Sequence, residues 1–179
     1  MRKFLLGFLL GILTLPALAF TAAWLGLLPT NANTAPSALE RGFAHMALDS
    51  AAARHAPHLV NPVAPTEENL MAGMKLFKDD CAGCHGDPNR PNSEAETGLY
   101  PNAPAFAFHP PRKPDYQLFW IISNGVRYSA MFSWAGQFGK DASGKDISDE
   151  KMWTAVTFLT HMDSLPPVVN AEWRKKAQN

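Results

Sequence analysis

Side chains that could hold a redox cofactor are concentrated in one short stretch, Cys81-Ala82-Gly83-Cys84-His85. Two cysteines separated by two residues and followed at once by a histidine are the signature of covalent c-type haem attachment. Each thiol can add to one vinyl group of the porphyrin, and the histidine then lies beneath the iron as its proximal nitrogen ligand. The stretch therefore predicts one covalently bound haem c, with Cys81, Cys84 and His85 as its binding residues.

Two other uses of a cysteine pair fit this sequence less well. A structural zinc site needs about four Cys or His ligands, whereas these are the only two cysteines in the chain. A thioredoxin-like redox pair is expected where a strand runs into a helix, whereas a helical pattern precedes Cys81. Haem attachment is the favoured interpretation, and a chance match is the main alternative.

A haem that transfers electrons without binding small molecules needs a sixth iron ligand from the protein. Met131 is the best candidate, because it combines a thioether with an irregular stretch that directly follows a predicted helix. His109, the only downstream histidine in a predicted loop, is one alternative, and a vacant or water-bound position is another. Met152 and Met162 lie on the last long predicted helix, so we expect them to pack in the core.

Local sequence signals predict the elements that position these residues. Apolar spacing, capping residues and stop signals predict four helices: from a Ser37–Glu40 capping box to about His55, from Thr66 to about Lys78, over Tyr116–Asn124, and from a Ser148 cap to the Pro166-Pro167 stop. Gly73 lowers helix propensity, so we expect it to permit close approach of a second helix. Residues 86–114 are predicted to be a long loop, which is unusual in a compact domain unless haem completes the core.

The N-terminus carries an uncharged run from Phe4 to Leu28 after Arg2 and Lys3. As a helix this run would reach about 37 Å, enough to cross a hydrocarbon core of about 30 Å. The segment Ala17-Leu18-Ala19 resembles a signal-peptidase site, so a removable signal is the alternative to a transmembrane anchor. We favour the anchor because the apolar run continues past that site. In either case the two basic residues predict a cytoplasmic N-terminus and an exported remainder.

Composition and spacing together give a domain plan. The formal net charge is zero, which does not indicate a nucleic-acid partner. We predict a signal-anchor helix over 1–28, a linker with a juxtamembrane helix over 29–65, a globular domain over 66–167 and a C-terminal tail over 168–179.

Three stretches of the predicted domain resemble class I c-type cytochromes, specifically the small membrane-anchored monohaem type. The pattern Gly73-x-x-x-Phe77-x-x-x-Cys81-x-x-Cys84-His85 resembles the family's N-terminal helix running into its haem motif. Asn124-Gly125-Val126-Arg127, followed by Met131 and Trp134, resembles its distal loop, although Phe132 stands where proline is common. Met152-Trp153 through Leu165-Pro166 resembles its closing helix. The resemblance implies an all-α cytochrome c-like fold whose first and last helices cross at Gly73.

The resemblance also implies roles for further residues around the haem. A proline carbonyl is expected to accept a hydrogen bond from the proximal histidine, and Pro104 is our choice, with Pro101 as the alternative. Arg127 and Trp134 flank Met131 and could donate hydrogen bonds to haem propionates, although a solvated charge and a core aromatic are equally good interpretations. The residues expected to line the haem pocket are Tyr100, Phe106, Phe119 and Trp120.

These observations predict a one-electron carrier with His/Met ligation rather than an enzyme. By resemblance, its partners are a quinol-oxidising complex or dehydrogenase and a terminal oxidase or reductase. Its expected location is the periplasmic side of the bacterial cytoplasmic membrane. The alternatives are a haem subunit of an oxidoreductase and a gas or redox sensor, both of which require Met131 to be absent from the iron or easily displaced.

Overall fold

The computed structural model describes residues 1–31, 34–90 and 102–175. Within these ranges the secondary structure is helical and contains no β-strand, which confirms the predicted all-α class. The chain divides into two compact units, Met1–Thr34 and Ala35–Asn179.

The first unit contains one helix, α1 (Arg2–Trp24), with Pro16 in its interior. Its segment Lys3–Trp24 has a mean hydropathy of 2.2, and none of its apolar window is buried. Length and composition therefore make it a candidate membrane span, and an N-terminal signal sequence would look the same.

The described residues of the second unit form helices and short helical turns. In chain order these are α2 (Ala38–His55), α3 (Glu67–Leu76), a π-helical turn (Phe77–Cys81), α4 (Ala82–His85), α5 (Asp115–Asn124), α6 (Ser148–Thr160), a 3-10 turn (Met162–Ser164) and α7 (Pro167–Trp173). The predicted N-terminal capping residues of α2 and α3 form the expected hydrogen bonds. Ser37 and Glu40 form a reciprocal capping box, and the Thr66 side chain accepts a hydrogen bond from the Asn69 N–H.

Helices α3 and α6 cross at Gly73, as expected. A β-carbon built on Gly73 would lie 2.5 Å from the Thr154 carbonyl oxygen and 2.8 Å from the Phe158 β-carbon. Only glycine permits this approach of two backbones. The crossing brings together the main apolar cluster, which comprises Leu70, Met74, Phe77, Phe158, Leu159, Val169 and Trp173.

Part of the C-terminal segment that the sequence assigned to a tail over 168–179 belongs to this core. Helix α6 ends at Thr160, before the two prolines, and Pro167 instead begins α7, because a proline at the first helical position loses no intrahelical hydrogen bond. Val169 and Trp173 are buried. The Trp173 ring makes edge contacts with Phe77 and Phe158 at centroid distances of 5.7 and 5.3 Å.

The start of α6 also differs from the prediction. Ser148 is not the capping residue, because it is the first residue of the helix. Its N–H donates to Asp146 Oδ1 at 2.8 Å, and its buried hydroxyl oxygen accepts from the Phe138 N–H at 3.2 Å. The bond from the Ser148 N–H is the main reason that the pKa of the Asp146 carboxyl is lowered.

The C-terminal half of α2 and the segment that follows it are packed on the globular core. Ala52 is fully buried, Asp49 forms an ion pair with Lys113, and the His58 ring stacks on Tyr116 with 4.4 Å between centroids. Asp49 and His58, which lie in the predicted linker with a juxtamembrane helix over 29–65, therefore contact residues at the start of α5.

Candidate haem-binding site

The two cysteines and the histidine are carried by a continuous helical segment. Helix α3 passes through the π-helical turn, in which the Ala82 N–H donates to the Phe77 carbonyl, into the single turn α4. Gly86, with φ +72°, ends this segment. The prediction that the first domain helix stops near Lys78 was therefore too short. Because residues three and four apart share one side of a helix, Cys81, Cys84 and His85 project from the same side of this turn.

The two cysteines have different surroundings. Cys81 is half-buried and Cys84 is exposed, and no disulfide joins them. Burial, followed by the nearby charges of Asp80 and Cys84, raises the pKa of the Cys81 thiol to about 12. A redox-active pair needs a thiolate with a lowered pKa, so this environment argues against the thioredoxin-like interpretation.

The His85 ring is held through one nitrogen. Its Nδ1 lies 2.9 Å from the carbonyl oxygen of Pro104. A carbonyl can only accept, so Nδ1 carries the proton and Nε2 keeps a lone pair available for a metal. Burial lowers the pKa of His85, with the Pro104 bond opposing this shift. The lowered pKa favours the neutral ring, which is the form suited to ligation.

Among the described residues, the rings of Phe106 and Phe77 adjoin His85. The Phe106 ring stacks on the imidazole, with 4.4 Å between centroids and 13° between planes. The buried Phe77 ring lies 6.4 Å away at 41°. The sequence analysis placed Phe77 only in the helix that leads into the haem motif. Its position four residues before Cys81, on the same helical side, is the signal that could have indicated this contact.

Met131 lies in a loop that folds back on the end of α5. The Val126 N–H donates to the Met131 carbonyl at 2.8 Å, and the Trp134 N–H donates to the Ile122 carbonyl at 3.1 Å. Gly125 has φ +70°, and a β-carbon there would lie 2.6 Å from the Met131 carbonyl oxygen. The loop backbone is therefore fixed at the last turn of α5, and the Met131 side chain is half-buried.

The residues that flank Met131 face different environments. Arg127 is exposed, and its guanidinium carbon lies 6.0 Å from the Tyr128 ring centroid. Tyr128 is 88% exposed and has φ +61°, an uncommon conformation for a bulky residue. Trp134 is half-buried and stacks on Phe138 at 4.9 Å. Trp134 thus takes part in a local aromatic group, whereas Arg127 is a surface charge.

The described contacts group the predicted site residues into two sets. The motif, Pro104 and Phe106 form one set, and Met131 with Trp134 forms the other. Ile122 connects them: it packs against the main apolar cluster, as Cys81 and Phe106 also do, and its carbonyl holds Trp134.

Other predicted pocket residues lie elsewhere or outside the described part of the chain. Phe119 stacks on Trp153 at 4.1 Å, in a second apolar cluster that contains no residue of the haem motif. Trp120 is half-buried and His109 is exposed. Tyr100 and Pro101 lie outside the described residues.

The donor set fits a haem c. Two thiols and an imidazole with an available Nε2 share one side of a helical turn, and a porphyrin would supply the four remaining nitrogen ligands. Among the described residues, no group of three or more His, Cys, Asp and Glu could hold a metal ion without such a macrocycle. A cavity of about 480 Å³ contains none of the motif residues; it is lined by Pro62, Val63, Asn69, Asp149, Glu150, Trp153 and Thr154.

Comparison with known proteins adds one finding. A sequence profile of the family described as cytochrome C oxidase, cbb3-type, subunit III matches residues 68–159. Neither the curated proteins nor the solved structures contain a match to the chain.

Proposed function

The chain belongs to the cytochrome c oxidase, cbb3-type, subunit III family, and from this premise we propose that it is a one-electron carrier with covalently attached haem c and His/Met axial ligation. Family membership implies a cytochrome c domain and haem-based electron transfer. The ligand set, the covalent attachment, the partners and the membrane location are the parts that we propose.

One observation carries the ligand proposal: the 2.9 Å contact between His85 Nδ1 and the Pro104 carbonyl. It fixes the tautomer that leaves Nε2 unprotonated, which is the form a proximal ligand must have. Since His85 directly follows Cys84, thioether bonds from Cys81 and Cys84 would hold the porphyrin beside this nitrogen.

The chain's own residues would set the properties of the carrier. Bound haem c supplies the iron(III)/iron(II) couple. Met131 would supply the thioether, a ligand that favours iron(II) and raises the reduction potential. The loop hydrogen bonds around Met131 keep its backbone fixed, which supports a permanently bound sixth ligand rather than a displaceable one. Pro104 would increase the basicity of His85.

The proposed partners are redox complexes of the same membrane. We infer that α1 anchors the chain in the bacterial cytoplasmic membrane with the haem domain on the periplasmic side. Tethering raises the effective concentration of membrane partners. A quinol-oxidising complex or dehydrogenase would donate electrons, and a terminal oxidase or reductase would accept them; the carrier could be a subunit of that oxidase.

Absorption spectroscopy of the purified holoprotein with added carbon monoxide tests the carrier proposal. We expect a c-type absorption spectrum whose haem stays with the polypeptide after denaturation, and a weak thioether-to-iron(III) band in the oxidised form. Carbon monoxide should cause no rapid change in the spectrum. Rapid binding would contradict the closed carrier and favour the sensor or oxidoreductase alternatives.

The double variant Cys81→Ala/Cys84→Ala tests the covalent attachment. We expect no haem to remain with the polypeptide after denaturation, because these are the chain's only cysteines. Each single variant should retain at most one thioether. Normal covalent haem content in the double variant would contradict the proposal.

Membrane fractionation tests the anchor. We expect the whole chain in the membrane fraction, and a chain whose residues 1–36 are replaced by a cleavable signal in the soluble periplasmic fraction. If instead the mature natural chain begins at Phe20 and is soluble, α1 is a signal peptide.

A further inference from the structure

The His85 ring is restrained by two residues that lie only two positions apart. The Pro104 carbonyl meets its Nδ1 edge at 2.9 Å, and the Phe106 ring covers one face at a centroid distance of 4.4 Å. The interplanar angle of 13° makes this a nearly parallel stack.

These two contacts restrain different motions. A single hydrogen bond fixes the direction of the N–H but leaves the imidazole able to turn about the N–H···O line. A parallel ring packed on one face opposes this rotation, because turning the imidazole would push its edge into the neighbouring ring. The bond and the stack together define the plane of the His85 ring.

Phe106 is itself held in place. The Ala105 carbonyl accepts hydrogen bonds from the Phe108 N–H at 3.1 Å and the His109 N–H at 3.0 Å, which closes a turn around Phe106. Phe106 and Ala107 also pack against the main apolar cluster. The stacking ring is therefore anchored to the protein core and is not a mobile surface side chain.

We propose that Phe106 is a positioning residue that sets the rotational orientation of the proximal imidazole. The inference rests on the proposed function, since it takes His85 as the iron ligand. The sequence suggested only that Phe106 lines the haem pocket. The stack assigns it to the histidine instead.

Electron paramagnetic resonance of the oxidised holoprotein provides the test, because the g-values of low-spin iron(III) depend on the orientation of its axial ligand planes. The variants are Phe106→Leu, which keeps an apolar side chain without the ring, and Phe106→Tyr, which keeps the ring. Phe108→Leu is the matched control, since Phe108 lies in the same turn and is 50% exposed.

We expect Phe106→Leu to shift or broaden the low-spin signal. Phe106→Tyr and Phe108→Leu should retain the natural signal. A Phe106→Leu protein that keeps full haem content and an unchanged signal would overturn the inference while leaving the proposed function intact. A natural protein without a low-spin histidine-ligated haem would overturn the proposed function, and this inference with it.

Discussion

Gly73 and Thr154 bring helices α3 and α6 into backbone contact, with space for only a hydrogen atom between them. A β-carbon on Gly73 would lie 2.5 Å from the Thr154 carbonyl oxygen, a distance that real β-carbons do not show. Because α3 continues into the haem motif, this contact also determines where the motif sits on the core.

Substitution of this glycine should therefore be costly. We expect Gly73→Ala to lower the free energy of unfolding by about 1–3 kcal/mol, because the helices must separate to admit the methyl group. Gly42→Ala in α2 is the control: nothing lies within 4 Å of its β-position, so the gain in helix propensity should make it neutral or stabilising. Chemical denaturation measures both, and equal stabilities would contradict the close crossing.

Removal of the Met131 thioether should open the iron. We expect Met131→Ala to lower the reduction potential, abolish the thioether-to-iron(III) band and allow carbon monoxide to bind. Met162→Ala is the control; Met162 is half-buried against the main cluster, so it should cost about 1–2 kcal/mol of stability, less than a fully buried methionine, and leave the spectrum unchanged. An unchanged potential and spectrum in Met131→Ala would transfer the assignment to His109 or to an open site.

The backbone of Gly125 should matter for the same ligand. An alanine there adds backbone strain of about 1–3 kcal/mol, because φ +70° with ψ −173° is essentially limited to glycine. Its β-carbon would also lie within 2.6 Å of the Met131 carbonyl oxygen. We expect Gly125→Ala to weaken the thioether band. Gly139→Ala separates the effect of a positive φ from the effect of the steric contact, because Gly139 has φ +77° but nothing within 4 Å of its β-position. If both variants have the natural spectrum, the loop contact does not hold Met131.

Helix α7 should contribute to stability although it follows the residues that match the family. Trp173 is 4% exposed and contacts Phe77 and Phe158, so we expect Trp173→Ala to cost about 3–5 kcal/mol. Val168→Ala, at a residue of the same helix that is 57% exposed, should cost little. Thermal unfolding of the two variants measures the difference, and similar midpoints would mean that α7 is dispensable.

Asn61 should hold the segment between α2 and α3 on the core. Its side-chain amide donates to Asp115 Oδ2 at 2.8 Å and Thr157 Oγ1 at 3.0 Å. We expect Asn61→Ala to cost about 1–3 kcal/mol, because a partly buried charged acceptor loses its donor. Asn61→Asp should cost more at pH 7, since two carboxylates would then face each other, and part of this loss should disappear as the pH falls towards about 4.

Chemical denaturation at pH 7 and pH 4 measures the free energy of unfolding of the natural chain, Asn61→Ala and Asn61→Asp. Equal stability of the natural chain and both Asn61 variants would show that residues 49–63 do not need this contact for docking.

The sequence by itself predicted the haem-binding motif and determined the helices with strong local signals. The spacing of Cys81, Cys84 and His85 lies within one helical turn, so the proposed haem attachment can be predicted without knowledge of the fold. Ser37 and Thr66 bond to backbone groups three residues away, and the glycine after Asn124 supplies the left-handed residue that ends α5. Each of these helix-end interactions is complete within a few residues, which is why the predicted helix ends agree with the structure.

The tertiary structure alone decided the features that depend on partners far apart in the chain. Trp173 is a core residue because Phe77 and Phe158 leave a space for it, whereas its own neighbours are polar and suggested a tail. The hydroxyl oxygen of Ser148 accepts a hydrogen bond from the Phe138 N–H, and Asp146 accepts one from the Ser148 N–H. Both bonds depend on the position of the loop that precedes α6. Phe106 reaches His85 across a turn that no periodic pattern reveals. Burial and stacking depend on which surfaces meet after folding, and local sequence does not contain that information.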